Sequence, residues 1–331
     1  MAARTRQQWR VAHAMKFGFT VPTRGRLADP DSITRIVREG EALGFDFASV
    51  NDHIVVPRTI DSTYPYSESG AWQGQGGGEA LELLTMLAFM AGISEKLRLL
   101  TAVMVVPYRN PVLTARILAT ADILSKGRIT VGCGAGWLRE EFEALGTPPF
   151  EARGRVADEY LRVFKKIWTD PAPEFAGDYA QFKDISVLPL PVQKPHPPLW
   201  IGGESGPALR RAARLGDGWF PIGSNPKFPL DTFERYKAAV DKLHALAEAE
   251  GRDPGELDLA YSLNWTFGGT PPLKSESKPV LTGTPEEIAA DIECFEALGL
   301  AHLLLNFQGG SLNDTLDRMA GFARDVIPLT R

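Results

Sequence analysis

The residues best suited to proton chemistry are Asp52 and His53, which directly follow the predicted strand Phe45–Val50. A neighbouring carboxylate can orient an imidazole and keep it available as a proton donor near neutral pH. This pair makes His53 a candidate for proton transfer, with Asp52 as the supporting carboxylate. From these residues alone, a hydrogen-bonded structural histidine is the simpler interpretation.

Two glycine-rich turns are suited to holding a phosphate group. Gly134-Ala135-Gly136 follows the fourth predicted strand, Gly202-Gly203-Glu204-Ser205 follows the fifth, and each turn leads into a helix. Backbone N–H groups at a helix N-terminus can bind a phosphate where no side chain stands in the way. One such turn could be a plain connection, but two turns on neighbouring strands favour a phosphate site.

These residues must be positioned by the strands and helices that alternate along the chain. Apolar runs predict about eight strands, each followed by a helix. The strands are Met15–Pro22, Phe45–Val50, Leu97–Val106, Ile129–Cys133, Leu199–Gly202, Gly218–Ile222, Leu257–Trp265 and Ala301–Phe307. Right-handed crossovers make such strands parallel, and eight units close into a (β/α)₈ TIM barrel, here with insertions after strands 2, 4 and 7.

An open Rossmann sheet is the alternative fold for this pattern. It is disfavoured because the first glycine-rich turn follows the fourth strand, and no acidic residue comes after it where a bound ribose would need one. In a barrel, the C-terminal ends of the strands form the active site. The barrel therefore gathers Asp52, His53 and both glycine-rich turns at one mouth.

The composition is that of a soluble globular protein, and it disfavours several functional classes. The chain has 331 residues, of which 44% are hydrophobic, and its 36 basic and 41 acidic residues give a net charge of −5. Such a charge is unfavourable for general binding to nucleic acids or anionic membranes. The five histidines and two cysteines lack metal-ligand spacing, so we expect no metal site. Because two cysteines in a large enzyme are typical of reduced thiols, we expect no disulfide.

The chain ends give expectations about domains and location. Residues 1–14 are polar and basic, and no apolar segment follows them as in a secretory signal. We interpret them as a flexible extension before a single domain at residues 15–331. No apolar run reaches the roughly 20 residues that span a bilayer, so the expected location is cytoplasmic.

The long loop after the second strand, from about residue 55 to residue 78, contains Tyr64, Tyr66 and Trp72. Long loops in compact domains are often functional lids. The three aromatic side chains could cover a planar ring system. The alternative is that they pack only on one another.

Several segments, taken in order, resemble the luciferase-like monooxygenase superfamily, and within it the branch of F420-dependent oxidoreductases. No single segment is decisive, but the ordered set covers nearly the whole chain from Met15. The resemblance implies a barrel, often dimeric, that binds FMN or coenzyme F420 at its C-terminal mouth. The segments are Ser49–His53, Pro107–Pro111, Gly132–Trp137 with Glu141 and Phe142, Pro191–Pro198, Trp200–Gly203 and Ala212–Trp219.

The resemblance also implies roles for individual residues. In F420-dependent relatives an Asp-His pair after the second strand lies near the reactive centre of the ring, and it matches the predicted catalytic residues Asp52 and His53. A non-proline cis peptide in the third strand, against which the ring packs, would by position join Ala102 and Val103. The other expected cofactor-binding residues lie at strand ends: Arg109, Asn110, Gly134, Ala135, Gly202, Gly203, Glu204 and Ser205.

One departure from the family pattern bears on the substrate. Some sugar-phosphate dehydrogenase relatives carry an acidic residue soon after the fourth-strand glycine, whereas this chain has Gly136 and Trp137. The departure argues against the substrate of those relatives. The sequence does not identify another one, although the aromatic loop suggests a hydrophobic organic molecule.

The resemblance leaves the reaction open between two cofactors. F420 carries hydride, and its acidic tail needs basic groups near the mouth, whereas reduced FMN reacts with oxygen. Because of Asp52 and His53, we favour F420-dependent hydride transfer to or from a small organic substrate. The alternatives are a two-component FMN-dependent monooxygenase served by a separate flavin reductase, and a flavin-binding barrel without turnover. A homodimer is expected in each case. The basic candidates are Arg24, Arg26, Arg58, Arg109 and Lys194.

Overall fold

The computed structural model describes residues 15–72, 74, 78–268 and 278–331, and eight parallel strands close into a barrel in this part of the chain. The barrel strands are β1 (Lys16–Thr20), β2 (Phe47–Val50), β3 (Arg98–Val105), β4 (Ile129–Gly134), β7 (Leu199–Gly202), β8 (Gly218–Phe220), β9 (Asp258–Thr266) and β10 (Leu300–Asn306); β5 (Phe175–Ala176) and β6 (Gln181–Phe182) form a separate antiparallel hairpin. Their order around the barrel is β1-β10-β9-β8-β7-β4-β3-β2. The predicted (β/α)₈ barrel is confirmed.

Helices cover the outside of the barrel and connect its strands. They are α1 (Pro30–Ala42), α2 (Leu83–Ile93), α3 (Pro111–Leu124), α4 (Arg139–Leu145), α5 (Arg153–Thr169), α6 (Gly206–Leu215), α7 (Phe233–Ala249), α8 (Pro285–Ala297) and α9 (Leu312–Asp325). Amphipathic helices such as α5 turn their apolar side towards the strands, where Val156, Tyr160 and Phe164 are buried.

The apolar core has an inner and an outer layer. Side chains alternate along each strand, so one set points into the barrel and the other set packs under the helices. The inner set includes Phe47, Leu100, Trp200, Phe220 and Leu304. Burial on both faces accounts for the nearly continuous apolar runs in the sequence.

Two predicted helix starts are corrected by the side chains that cap them. We expected Asp31 to cap α1, but the carboxylate of Asp29 accepts hydrogen bonds from the N–H groups of Asp31 and Ser32. We expected α2 to begin at Glu79, but it begins at Leu83 after Glu82, whose carboxylate accepts from Thr85 N at 2.8 Å. In both cases the residue that can satisfy free N–H groups of the first turn sets the boundary.

The predicted insertions differ in how much of them is described. Residues 51–82 connect β2 to α2, and the hairpin β5–β6 lies in the longer connection between β4 and β7. In the insertion after the seventh barrel strand, residues 269–277 lie outside the described residues. Residues 1–14, interpreted as a flexible extension, also lie outside them.

At the N-terminal end of the barrel, His302 lines a small cavity together with Lys16 and Arg98. Burial, with the positive charges of Lys16 and Arg98, lowers the pKa of His302 to about 3. This histidine is therefore neutral at physiological pH. Its end of the barrel is the one that usually serves stability rather than catalysis.

Candidate active site

The predicted site residues lie at the C-terminal ends of four strands that are consecutive in the barrel, β2, β3, β4 and β7. His53 follows β2, the Ala102–Val103 peptide lies within β3, and Gly134 and Gly202 end β4 and β7. Parallel strands bring these ends to one rim. The rim is the candidate active site.

His53 is held by Glu141, a residue of α4 to which the sequence analysis gave no role. The Nδ1 atom of His53 lies 2.8 Å from Oε2 of Glu141. Glu141 has no exposed surface, whereas the side chain of His53 is 13% exposed. Since a carboxylate accepts hydrogen bonds, Nδ1 carries the hydrogen and Nε2 is the basic nitrogen. Nε2 has no hydrogen-bond partner among the described residues, which leaves it available at the mouth.

The carboxylate of Glu141 is fully satisfied by donors around it. Its Oε1 accepts from the backbone N–H groups of Ile54 and Val55 at 2.7 and 3.1 Å, and its Oε2 also accepts from the hydroxyl of Tyr108 at 2.9 Å. Four donors offset much of the cost of burying this charge. They also fix the segment after β2, and with it the orientation of His53.

Asp52 does not orient His53, so that part of the prediction is wrong. Its buried carboxylate accepts two hydrogen bonds from the guanidinium of Arg109, at 2.8 and 2.7 Å, and one from Val105 N at 2.8 Å. Consecutive side chains on an extended segment point in different directions, which separates Asp52 from the imidazole of His53. Asp52 fastens the end of β2 to the end of β3.

The side chains of Arg109 and Asn110, which we expected to contact the cofactor, are engaged within the protein. Arg109 binds Glu82 at 2.7 Å in addition to Asp52. Burial acts to lower the pKa of Arg109, but the hydrogen bonds and charges of Asp52 and Glu82 outweigh it and raise the pKa. Asn110 accepts hydrogen bonds from Val112 N and Leu113 N and thereby caps α3.

The peptide bond between Ala102 and Val103 is cis, as the resemblance implies. Both residues are only partly buried, although most of β3 is fully buried. The side chain of Val103 lies between the two glycines that end β4 and β7. A Cβ atom on Gly134 would lie 2.5 Å from one methyl group of Val103, and a Cβ atom on Gly202 would lie 2.9 Å from the other.

The contact with Val103 gives a different reason why glycine occupies positions 134 and 202. We interpreted Gly134 and Gly202 as making room for a phosphate, whereas in the structure they make room for Val103. The residues after them still form an accessible turn: Ala135 and Gly203 are partly buried, and Gly203 has a φ of +101°, which favours glycine. Ser205 then caps α6, so the N-terminus of that helix opens at the mouth.

Glu204 holds a neighbouring loop. Its carboxylate accepts hydrogen bonds from Ile222 N at 2.7 Å and from Nδ2 of Asn225 at 2.9 Å. Burial raises the pKa of Glu204 to about 7, against the opposing effect of these hydrogen bonds. The contacts position the segment after β8, rather than leaving the carboxylate free for a ligand.

An aromatic cluster, formed by Tyr64, Tyr66, Trp72 and Trp137, covers His53. The rings of Trp72 and His53 are 4.5 Å apart, and the ring of Trp137 lies 5.8 Å from Trp72 and 5.1 Å from Tyr64. Burial raises the pKa of Tyr66 well above its usual value, and the carboxylate of Glu204 adds to this effect. The loop after β2 therefore extends across the mouth towards β7.

Sequence reasoning missed Glu141, Tyr108 and the position of Arg24. Glu141 stood in a segment that carries the resemblance, but it is 88 residues from His53 and no local pattern links the two. Tyr108 lies in a short 3₁₀ helix after β3. The guanidinium of Arg24 lies 4.6 Å from the ring centre of Trp72, a contact between two loops that the sequence does not reveal.

The described part of the chain contains neither a cluster suited to a metal ion nor a helix suited to crossing a membrane. No cluster of three or more His, Cys, Asp or Glu side chains there could hold a metal ion. No helix among the same residues is both long enough and apolar enough to cross a bilayer.

Comparison with known proteins places the chain among flavin-dependent enzymes. The sequence model of the luciferase-like monooxygenase family matches residues 15–271. An FMNH(2)-dependent dimethylsulfone monooxygenase of Pseudomonas putida is 29% identical over 312 residues, covering 81% of this chain and 84% of the relative.

Solved structures show the same fold at lower identity. The monooxygenase RslO1 from Streptomyces bottropensis superposes with a TM-score of 0.72 at 22% identity, covering 95% of this chain and 99% of its own. An F420-dependent secondary alcohol dehydrogenase superposes with a TM-score of 0.74 at 19% identity, covering 96% and 99%.

Proposed function

The chain belongs to the luciferase-like monooxygenase family, and we propose that it is a two-component monooxygenase that uses reduced FMN and O₂ to oxidise a small organic substrate. The observation that carries a redox site is the His53–Glu141 pair at a mouth that also holds the partly exposed Ala102 and Val103 and the N-terminus of α6. The choice of FMN rests on the charges at the mouth. A separate flavin reductase would supply the reduced cofactor.

The residues at the mouth fit a flavin. The partly exposed Ala102 and Val103 would support the planar ring, and the N-terminus of α6 with Ser205 would hold the phosphate. Ser49 has a fully buried hydroxyl that lacks a hydrogen-bond partner among the described residues, and it lies on the inner face of β2 with Phe47. When bound, reduced FMN would supply the electrons for oxygen activation.

His53 would handle the proton in this chemistry. Glu141 fixes Nδ1 as the protonated nitrogen, so Nε2 can accept a proton from the mouth or return one to it. The aromatic cluster would exclude bulk water from the reacting groups. Asp52, Tyr108 and Arg109 position these residues without contacting the substrate.

The sequence analysis favoured F420, but the charges at the mouth favour FMN. An acidic tail needs several free cations, but Arg109 is neutralised by Asp52 and Glu82. Lys194 precedes β7 and therefore belongs to the opposite end of the barrel, and Arg26 and Arg58 are exposed to solvent. Of the five basic candidates, only Arg24 is partly buried at the mouth without a counter-charge among the described residues, and one cation is too few for an acidic tail. The named activity of the relative from Pseudomonas putida supports the same choice. F420-dependent hydride transfer remains the second candidate, supported by the position of His53 after β2.

Anaerobic titration of the protein with reduced FMN and with F420, followed by tryptophan fluorescence, tests the cofactor. We expect reduced FMN to bind at micromolar concentration and F420 to bind more weakly. Substrate-dependent oxygen uptake, with a flavin reductase present, then tests the reaction. Tight F420 binding without such uptake would replace the monooxygenase proposal with hydride transfer.

A pair of histidine variants tests the role of His53. His53→Ala should lower kcat/KM by about 10²- to 10⁴-fold, the usual contribution of a proton-transferring group. His244→Ala, on the outer helix α7, is the matched control and should leave activity unchanged. Equal activity of both variants would remove His53 from the mechanism.

Homodimerisation is also proposed, through the outer faces of α2 and α3. These adjacent helices expose large apolar side chains, with Phe89 at 38%, Leu113 at 59% and Leu124 at 62% of full exposure. α2 contains no charged residue between Leu83 and Ile93. An apolar face of this kind is typical of a subunit interface, and a two-fold axis would bring it against itself.

A further inference from the structure

Among the described residues, Arg24 is a partly buried charged group at the mouth that has no counter-charge. Asp52 and Glu82 are paired with Arg109, and the carboxylate of Glu141 receives four hydrogen bonds. The guanidinium of Arg24, by contrast, forms no ion pair with any carboxylate of the described residues. An aromatic ring offsets only part of the cost of burying a cation, so the negative charge of a ligand would stabilise Arg24 further.

The surroundings of Arg24 direct it at the candidate active site. Its guanidinium packs on the ring of Trp72 at 4.6 Å, and the same ring lies 4.5 Å from His53. Arg24 is partly buried against this aromatic cluster, and the burial lowers the pKa of its guanidinium, with Tyr64 opposing the shift. The backbone nearby is fixed because Leu81 N donates to the carbonyl oxygen of Thr23 at 2.8 Å.

The position of Arg24 separates it from the phosphate-binding turn. Arg24 follows β1, and β1 lies on the opposite side of the barrel from β7, which leads into Ser205 and α6. A phosphate at the N-terminus of α6 would therefore be held on one side of the mouth, and Arg24 stands on the other. The side of the mouth that carries Arg24, Trp72 and His53 is therefore the side left for a substrate.

We propose that Arg24 binds the anionic group of the substrate, which is a small organic acid with one negative charge, a carboxylate or a sulfonate, held against Trp72 beside His53. The inference rests on the proposed function for the identity of the site. It narrows the substrate class, since neutral molecules of the same shape would leave the guanidinium unpaired. Hydrogen bonds to charged groups are stronger than those between neutral groups, so anionic ligands should bind much more tightly than neutral ligands of the same shape.

Equilibrium binding to the FMN-loaded protein, measured by isothermal titration calorimetry, tests the proposal without requiring turnover. The probes are two pairs of similar shape: methanesulfonate with dimethylsulfone, and benzenesulfonate with methyl phenyl sulfone. We expect at least one sulfonate to bind about tenfold or more tightly than its neutral partner. Equal affinities in both pairs, or no saturable binding of either sulfonate, would overturn the proposal.

Arg24→Met should remove the preference for the charged probes, because methionine keeps the apolar contact with Trp72 but has no charge. Arg26→Met, at an exposed neighbouring arginine, should keep the preference. An unchanged preference in Arg24→Met would assign the anion to another group and overturn the proposal. If Arg24→Met does not fold, the comparison of probes on the wild-type protein still decides the charge of the preferred ligand. Arg24→Lys keeps the charge and should retain the preference for the sulfonates.

The cofactor phosphate is the competing anion, and riboflavin, which lacks it, distinguishes the two sources. The ratio of the Kd values for riboflavin and FMN should be the same in Arg24→Met as in the wild type. A ratio that falls to about one in the variant would place the FMN phosphate at Arg24 and overturn the substrate assignment. These binding results are independent of oxygen uptake, so failure of the monooxygenase proposal would be recognised separately.

Discussion

Oε2 of Glu141 lies 2.8 Å from Nδ1 of His53 and 2.9 Å from the hydroxyl of Tyr108, so a single buried carboxylate fixes the proposed proton carrier. The contact between His53 and Glu141 joins the loop after β2 to α4, and α4 follows the glycine-rich turn at the end of β4. Because Glu141 is the one hydrogen-bond partner of the His53 ring among the described residues, the tautomer of His53 depends on this contact.

Glu141→Gln should lower kcat by about tenfold or more, while its effect on KM stays smaller. An amide can donate to Nδ1, and that would move the hydrogen to Nε2 and reverse the roles of the two ring nitrogens. Nitrogen-15 NMR of the histidine ring would detect the change of tautomer directly. Glu140→Gln is the control, since Glu140 binds Ser62 on the same loop and does not contact His53. An unchanged tautomer in Glu141→Gln would show that Glu141 does not position the ring.

Asp52→Asn should act mainly on stability. Breaking the buried pair with Arg109 should cost about 3 kcal/mol of the free energy of unfolding, measured by urea denaturation. The exposed pair of Lys237 and Asp241 offers a control, because Asp241→Asn should cost less than about 1 kcal/mol. A loss of kcat in Asp52→Asn as large as that in His53→Ala, with unchanged stability, would restore Asp52 to a catalytic role.

Gly134→Ala and Gly202→Ala should each displace Val103 from the floor of the mouth. Added methyl groups in a packed site cost about 1–3 kcal/mol, and we expect weaker FMN binding in both variants. Gly92→Ala is the matched control, since the new Cβ would meet no atom within 4 Å outside the adjoining backbone of α2, and alanine favours the helix. Calorimetric unfolding and FMN titration measure the two effects. Normal flavin affinity in both site variants would argue that Val103 does not support the ring.

Glu204 should make stability depend on pH. Its pKa in the folded protein is about 7, above the ordinary value of 4.5, because burial favours the neutral acid. The folded state therefore binds the proton more tightly, and this contribution to stability is complete below about pH 4.5 and is lost as the pH rises through 7. The loss should approach about 3 kcal/mol. Urea denaturation across this range should show a shallower decline for Glu204→Gln, and parallel curves for the two proteins would contradict the assignment.

Aspartate at the exposed apolar face should separate the proposed dimer. A combined Leu113→Asp and Leu124→Asp variant places charges on α3, where burial against a second copy would be costly. Sedimentation velocity should show a dimer for the wild type and a monomer for this variant. Leu329→Asp, at another exposed leucine (45% of full exposure) near the C-terminus, should remain dimeric. A monomeric wild type would remove the proposed interface.

The sequence by itself determined the barrel and the rim on which the site stands. Apolar runs and amphipathic segments have periods that local backbone geometry dictates, and parallel strands must end at one rim, so the residue order alone places His53, Gly134 and Gly202 together. Strands such as Leu199–Gly202 and helices such as Arg139–Leu145 are predicted with the same limits that the structure shows.

Only the tertiary structure decided which side chains meet at that rim. Asp52 is adjacent to His53 in the chain, yet it binds Arg109, while Glu141, 88 residues away, binds the imidazole. Gly134 and Gly202 leave room for the side chain of Val103, and Arg24 packs on Trp72 from a different loop. Contacts of this kind depend on how strands and loops pack against each other across the barrel, and neither residue spacing nor local propensity carries that information.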